Sequence, residues 1–533
     1  MERWRAEGVG VLGCWGKGPK GPEAFRVFFR LLTLGTLGTL GTLGTSAFLC
    51  ISAVLCVGCV NTPKQQSALT FYCAAGIKPP VEKAVADYAS AYGVQVQLQY
   101  GGSGTLLSNL QIAQTGDLYL AADESYIRKA KAKGLVAESI PIAKMRPVIA
   151  VQKGNPKSIQ TIQDLLRADV SVALANPDAA AVGRIVRQTL QESGEWEALE
   201  KHARVFKPTV NEVANDIRIG AVDAGIVWDT VGNQYDQLQN VHLDSLDAQT
   251  YQITVGILTS SELPTEALKF ARYLSASDRG QCHFVELGYT PVESDVWEEH
   301  PEVLLFSGAM LRPGLEAAIQ KFEQREGVTV NRVYNGCGVL VSQMNSGAQP
   351  EAYVSCDVSF MERVADRFLP PSLLTENDMV ILVKKGNPKG IMALQDLARE
   401  DVAVGLAHPD KSALGALTRR MLQAEGLYEQ VAANKKVDSA TGDFLVNQLR
   451  TGSLDAVIVY RSNAMSAQVN LEQHLDLIEI HAEGATAVQP YAIAQHAKHK
   501  RLLERLFETV KAEQSKLTFE SYGFRWLAEN AID

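Results

Sequence analysis

The sequence predicts an α/β protein of two tandem modules, each made of two α/β lobes with a largely parallel sheet. Three observations lead there. Residues 72–297 and 306–525 carry the same signals in the same order. From Leu69 onward, short apolar strands alternate with amphipathic helices, the pattern of parallel strands joined by crossover helices. The length of 533 residues is more than one hydrophobic core accommodates.

The repeat is read from spacing. Ala75 precedes a Pro-containing turn, as Ala309 does; GGSG around Ser103 returns as NGCG around Cys337; Asp123 after Ala-Ala returns as Asp357 after Ser-Cys, each pair 234 positions apart. KGNP at 153–156 returns at 385–388, NPD at 176–178 returns as HPD at 408–410, and GAVDAGIVW at 220–228 returns as GSLDAVIVY at 452–460, each 232 apart. A nearly constant offset over so many residues is a tandem duplication.

The elements follow in order. LTFYCA, starting at Leu69, reads as a strand. Pro79-Pro80 opens a helix, where a missing N–H is tolerated, and Val81, Ala84, Val85 and Tyr88 fall at helical spacing. VQVQLQY at 94–100 alternates as a strand does, and GGSGTLLSNLQIA is a Gly-rich turn entering a second helix. DLYLAAD is a strand whose last residue, Asp123, is placed to cap the next helix. MRPVIAVQKGNP marks a crossing to a second lobe near 145–151, and the chain returns near 250–258. The second copy crosses near 379–383 and 487–493. The expected organisation is a leader at 1–59, a polar tether at 60–67, module one at 68–297 and module two at 298–533, with 293–301 as the link.

Composition narrows the function. A hydrophobic content of 46% and a charged content of 21% are ordinary for a globular protein. A net charge of -9 carries no basic footprint, which argues against nucleic acid as a partner. An anion site would then work through local dipoles, against the overall field. In the leader, Arg26 and Arg30 precede a long apolar run that ends in LCVGC at 55–59. A basic start, an apolar middle and small residues at the end describe a secretory signal; the run is also long enough to be a membrane-spanning anchor. Either reading places the bulk outside the cytoplasm. Beyond Cys59 remain Cys73, Cys282, Cys337 and Cys356, which make neither a disulfide scaffold nor a zinc spacing.

Ligands of α/β sheets gather beyond the carboxyl ends of strands, at helix starts. The loops there give the candidate ligand-binding residues: Gly76, Ser103, Ala180, Val210 and Trp228 in module one; Met310, Cys337, Ser412, Gly442 and Tyr460 in module two. These loops are rich in small residues, hydroxyls and backbone N–H groups, and poor in charged side chains. That suits a dehydrated oxyanion held by helix-start donors and the helix dipole. An enzyme would need a titratable acid, base or nucleophile at these points, and module one offers none. The expectation is therefore a binding protein with no cofactor and no metal. Asp123 and Asp357 read as helix caps, Lys78 and Arg312 as solvated first-turn residues, and His496 and His499 as solvated members of a basic surface helix. Cys337 and Cys356 fall on two loops that should be neighbours; they are two small residues, a disulfide or a soft-metal site.

Each half resembles the molybdate-binding proteins of bacterial ABC importers, a type II periplasmic binding family. The likeness rests on the first strand and its Ala-containing turn, the Gly-Gly-Ser-Gly turn, Ala-Asp after the third strand, the Asn-Pro-Asp turn and the G-x-(V/L)-D-A-x-I-V-(W/Y) strand. It covers almost all of 69–525. The resemblance implies two type II periplasmic-binding modules whose lobes close by hinge motion. It implies capture of molybdate, tungstate or a similar oxyanion by Ser hydroxyls, backbone amides and one Tyr hydroxyl, and delivery to the membrane subunits of an ABC importer. LCVGC resembles the lipobox of bacterial lipoproteins, which implies lipidation of Cys59 and a periplasmic, membrane-anchored protein. Residue by residue, the family's first-turn Ser is Gly76 and Met310. Its second-turn Ser is kept as Ser103 and is Cys337 in module two. Its Tyr is kept as Tyr460 and is Trp228 in module one, where the indole N–H is a donor. Two alternatives stand beside this: a site for another anion (sulfate, phosphate or an organic anion), and a ligand-free scaffold or sensory protein that kept the fold.

Overall fold

The computed structural model describes residues 68–243, 246, 249–466 and 474–528. The leader and Cys59 lie outside the described residues. Among the described residues, no helix is long and apolar enough to cross a membrane.

In module one the first lobe is a six-stranded sheet. Its strands are β1 (Leu69–Ala74), β2 (Val96–Gly101), β3 (Leu118–Ala121) and β4 (Val136–Met145). The second lobe holds β5 (Pro147–Gln152), β6 (Val172–Ala175), β7 (Val205–Lys207), β8 (Ala224–Trp228) and β9 (Leu238–Val241). β10 (Tyr251–Leu258) and β11 (Thr290–Pro291) return to the first. The strand orders are β11-β4-β10-β3-β1-β2 and β7-β6-β8-β5-β9. Each sheet has a parallel three-stranded part, β2-β1-β3 or β7-β6-β8. The antiparallel strands β4, β5 and β10 are those that carry the chain between lobes. The strands buried on both faces read as apolar runs, which is why LYLA, VALA and AGIVW are fully buried.

Module two repeats the plan with β12 (Glu302–Gly308), β13 (Thr329–Asn335), β14 (Ala352–Val354), β15 (Ser372–Lys384), β16 (Val404–Ala407), β17 (Lys435–Ser439), β18 (Ala456–Tyr460), β19 (Leu475–Glu479) and β20 (Thr486–Ile493). One difference concerns the crossing. In module one the chain breaks at Arg146, between β4 and β5. In module two β15 runs unbroken, pairing with β20 up to Asp378 and with β18 from Met379. Each module has its own apolar core, one spanning Leu69 to Tyr289 and the other Val303 to Ala528.

The modules meet through helices Pro264–Ser275 and Arg312–Glu326. Glu326, 2% exposed, accepts from Arg272 Nη1 at 3.0 Å and from Arg505 Nε at 2.6 Å. Burial raises the pKa of the Glu326 carboxyl, but the Arg505 and Arg272 guanidiniums outweigh it and hold the group below the ordinary carboxylate value. The link is gripped from both sides. Trp297 Nε1 donates to Tyr92 Oη of module one at 2.7 Å, and the Asp295 carboxylate accepts from the Arg501 and Leu502 N–H groups at 2.9 and 3.0 Å. His499 corrects the expectation of a solvated pair. It is buried, with Nε2 2.8 Å from Glu298 of the link, whereas His496 is exposed. Its position preceding the helix Lys500–Lys511 faces the link rather than water.

Candidate functional site

The carboxyl ends of β1, β2, β6 and β8 converge, and the helices after them begin there. In module one the five candidate residues surround one small cavity that opens to solvent. Its wall is the turns 74–76, 101–103, 180–182 and 209–210, with Ala122 and Trp228. None of these residues carries a charge.

Each turn is fixed by its own local chemistry. The Gly76 carbonyl accepts from Tyr289 Oη at 3.1 Å, which pins the first turn. Ser103 is the first residue of the helix Ser103–Ala113 and 2% exposed. Its Oγ accepts from the Ala122 N–H at 3.1 Å, so its hydroxyl proton is left to donate elsewhere. Ala180 precedes the helix Ala181–Glu192 without a side-chain cap, and Thr209 caps Val210–Arg218 by accepting from the Glu212 N–H at 3.3 Å. Helix starts have N–H groups with no intrahelical acceptor; at this cavity those of Ser103, Ala181, Val182 and Val210 are of that kind. Trp228 is 1% exposed and tilts against Tyr251, ring centroids 5.9 Å apart. A Cβ on Gly76 would lie 2.9 Å from Val210 Cγ1 and 3.5 Å from Trp228 Cδ1. The Val210 side chain, with Val231 Cγ2 at 3.3 Å, thus leaves room for glycine at 76 and for no larger residue without movement, while Trp228 is in ordinary contact.

The two lobes touch backbone to backbone. Gly104 and Thr105 N–H donate to the Ala179 carbonyl at 2.8 and 3.3 Å. A Cβ on Gly102 would lie 2.3 Å from the Ala179 carbonyl oxygen, and one on Gly104 2.3 Å from that of Asp178. An ion pair also crosses the cleft: Arg184 Nη2 is 2.5 Å from Asp123 Oδ1 and 2.6 Å from Ser125 Oγ. Asp123 caps Glu124–Ala132 at the same time, accepting from the Ser125 N–H at 3.2 Å. Composition and spacing did not single out Ala122, Thr209 or Arg184. The glycines at 102 and 104 are the signals of close approach that the sequence offers.

In module two the corresponding residues stand at the corresponding strand and helix ends, with different chemistry. Met310 is buried beside the first turn, Cys337 begins the helix Cys337–Asn345, Ser412 precedes Ala413–Ala424 and Gly442 begins Gly442–Arg450. A Cβ on Gly442 would lie 2.3 Å from Asn463 Oδ1, so an amide replaces the apolar wall that Val210 and Val231 make in module one. Tyr460 is 3% exposed, and its hydroxyl has no hydrogen-bond partner among the described residues. Cys337 and Cys356 are neighbours, Sγ to Sγ 2.8 Å. The lobes close as in module one: a Cβ on Gly336 or Gly338 would lie 2.4 Å from the Lys411 or 2.0 Å from the Asp410 carbonyl oxygen. Asp357 caps Val358–Met361, as expected, but its cation is more distant, with Arg420 Nη2 at 3.8 Å.

Two stretches, 69–290 and 303–525, each match the family described as bacterial extracellular solute-binding protein. The chain belongs to this family. The solute-binding protein contains the family's domain twice, and the family is one of binders rather than enzymes. It is 28% identical over 228 residues to the molybdate-binding protein ModA of Mycobacterium bovis, covering 42% of this chain and 84% of that one. YvgL of Bacillus subtilis, whose name includes "ABC transporter substrate-binding lipoprotein", is 24% identical over 233 residues, covering 43% and 87%. Among solved structures, the periplasmic molybdate-binding protein of Azotobacter vinelandii aligns with a TM-score of 0.37 and 17% identity, over 42% of this chain and all of that one.

Proposed function

We propose that this is an extracytoplasmic binding protein that captures a tetrahedral oxyanion, molybdate or tungstate, and passes it to an ABC importer. Modules 68–297 and 298–533 act as the two binding units, and a lipid on Cys59 holds the chain at the membrane. The observation that carries the reading is the module-one cavity: uncharged, rimmed by helix-start N–H groups, and furnished with one hydroxyl whose acceptor side is already occupied by Ala122. Each hydrogen bond to a charged ligand contributes about 1.5–3 kcal/mol, so a few of them give affinity in the micromolar range or better. The names of the relatives, molybdate-binding for ModA and lipoprotein for YvgL, point the same way.

Calorimetric titration of the purified protein with molybdate, tungstate, sulfate and phosphate tests this. Module one is expected to take one equivalent of molybdate or tungstate, weakened by Ser103→Ala. Heat with sulfate or phosphate alone would move the site to another anion. No heat with any of the four, together with an unshifted melting temperature where saturation at 100 times Kd adds about 2.7 kcal/mol, would leave the scaffold reading.

A further inference from the structure

Three residues of module two differ from module one and touch one another. Ala74, Ser103 and Ala122 have become Gly308, Cys337 and Cys356. The two sulfurs are 2.8 Å apart, and the Cys356 N–H donates to Cys337 Sγ at 3.1 Å, as Ala122 does to Ser103 Oγ. The glycine makes this possible. A Cβ at 308 would lie 2.1 Å from Cys356 Sγ and 3.2 Å from Cys337 Sγ, so the alanine of module one would collide with the thiol pair. The three exchanges form one packing change, which builds a dithiol at the position of module one's hydroxyl.

We propose that Cys337 and Cys356 are a reversible disulfide site, and that its redox state decides whether module two accepts an anion; the second half rests on the oxyanion reading above. Cys337 begins a nine-residue helix, where the dipole favours a thiolate. Burial pushes its thiol up, but hydrogen bonds from the Cys356 thiol and N–H, from Tyr353 and from Ser355 outweigh this and hold it below the ordinary value. Cys356 is pushed well up by its hydrogen bond to Cys337 and then by burial. Cys337 is therefore the attacking sulfur and Cys356 the one that keeps its proton.

The oxidant is a small or protein disulfide, R–S–S–R. The Cys337 thiolate attacks one sulfur, forms a mixed disulfide and expels R–S⁻. Cys356 passes its proton to that thiolate, and its sulfur attacks Cys337 Sγ, expelling the second R–S⁻. One thiolate, one thiol and R–S–S–R thus become the protein disulfide, R–SH and R–S⁻. Reaching a bond of roughly 2.05 Å needs less than an ångström of sulfur movement. Both sulfurs are shut in when Gly336 and Gly338 meet the opposite lobe, so exchange takes place with the lobes apart. In the reduced state two thiol sulfurs fill the place of Ser103, and Cys337 Sγ, already the acceptor of the Cys356 N–H, offers an anion no strong donor there. The disulfide is neutral and leaves the buried, unpartnered Tyr460 hydroxyl to donate.

The test incubates the full chain with reduced or oxidised glutathione, maps thiols by differential alkylation and peptide mass, and titrates each state with molybdate. Oxidised glutathione should yield a 337–356 disulfide. Cys356→Ala should stop at a glutathione adduct on Cys337, and Gly308→Ala should hinder closure of the pair. A molybdate equivalent present only in the oxidised protein should vanish on reduction, while module one's remains. Cys337 and Cys356 both staying as thiols in oxidised glutathione would overturn the disulfide. A disulfide that forms while module two titrates identically in both states would overturn the gating. A disulfide in a protein that gives no molybdate heat from either module would retire the oxyanion reading, and the gating with it, while the disulfide stands.

Discussion

Gly102 shows how much of this site is decided by what a residue lacks. Its φ of -68° is open to any L-residue, so backbone freedom does not explain the glycine. Close approach does: the opposing atoms are the carbonyl oxygens of Ala179 and Pro208, at 2.3 and 2.7 Å from a Cβ. Both belong to the other lobe's backbone and cannot swing aside. Gly102→Ala should therefore wedge the cleft open while leaving both lobes folded. The expected result is an affinity for molybdate reduced by roughly tenfold or more, about 1.4 kcal/mol, by calorimetry, with an unchanged circular dichroism spectrum. An affinity equal to the parent's would show that the lobes need not meet there. Ser103 and Trp228 are of a different kind, since they line the cavity and differ in type from their counterparts Cys337 and Tyr460.

The elements explain what was legible beforehand. Strand and helix alternation, the repeat and the cap at Asp123 are properties of neighbouring residues, and local spacing displays them. Arg184 is different: it reaches Asp123 across the cleft, 61 positions away, and its counterpart in module two is Ala416, so the repeat gave no hint of it. His499 was misjudged because Lys498, Lys500 and Arg501 suggest a solvated helix, whereas the link's Glu298 and Asp295 fold onto it. The crowding of Gly76 by Val210, 134 positions away, is visible only once the turns face each other. The hinge strands carry a prediction of their own. β15 is unbroken where module one breaks at Arg146, whose N–H relies on the Asp229 carboxylate at 3.2 Å. Opening module two bends a continuous hydrogen-bonded ladder, and locally weak pairing is where amides exchange first. Hydrogen exchange in the ligand-free protein should be faster for a peptide over 143–150 than for one over 375–382. Equal rates would contradict a difference in hinge stiffness.

At the scale of the whole molecule, Glu326 joins the modules. It is buried between two guanidiniums, and breaking such an arrangement by removing one partner typically costs about 3–5 kcal/mol. Glu326→Ala is expected to lower stability by that order in denaturant unfolding, and a loss below about 1 kcal/mol would mean that the link alone joins the modules. The sign of the acid response follows from the depressed carboxyl. Its contribution is complete above the unfolded pKa of about 4.3 and is lost as pH falls through the folded value. The stability gap between the parent and Glu326→Gln should therefore shrink only in that acid window. The cross-cleft glycines have a further consequence, for descent. After the duplication, Ser103 and Cys337 diverged, as did Trp228 and Tyr460, yet Gly102 and Gly104 kept their counterparts Gly336 and Gly338. On the proposed function, a wedge would harm every cargo alike, whereas a changed side chain would trade one cargo for another. What the two copies inherited in common is thus the act of shutting, and what each was at liberty to lose is the choice of what to shut upon.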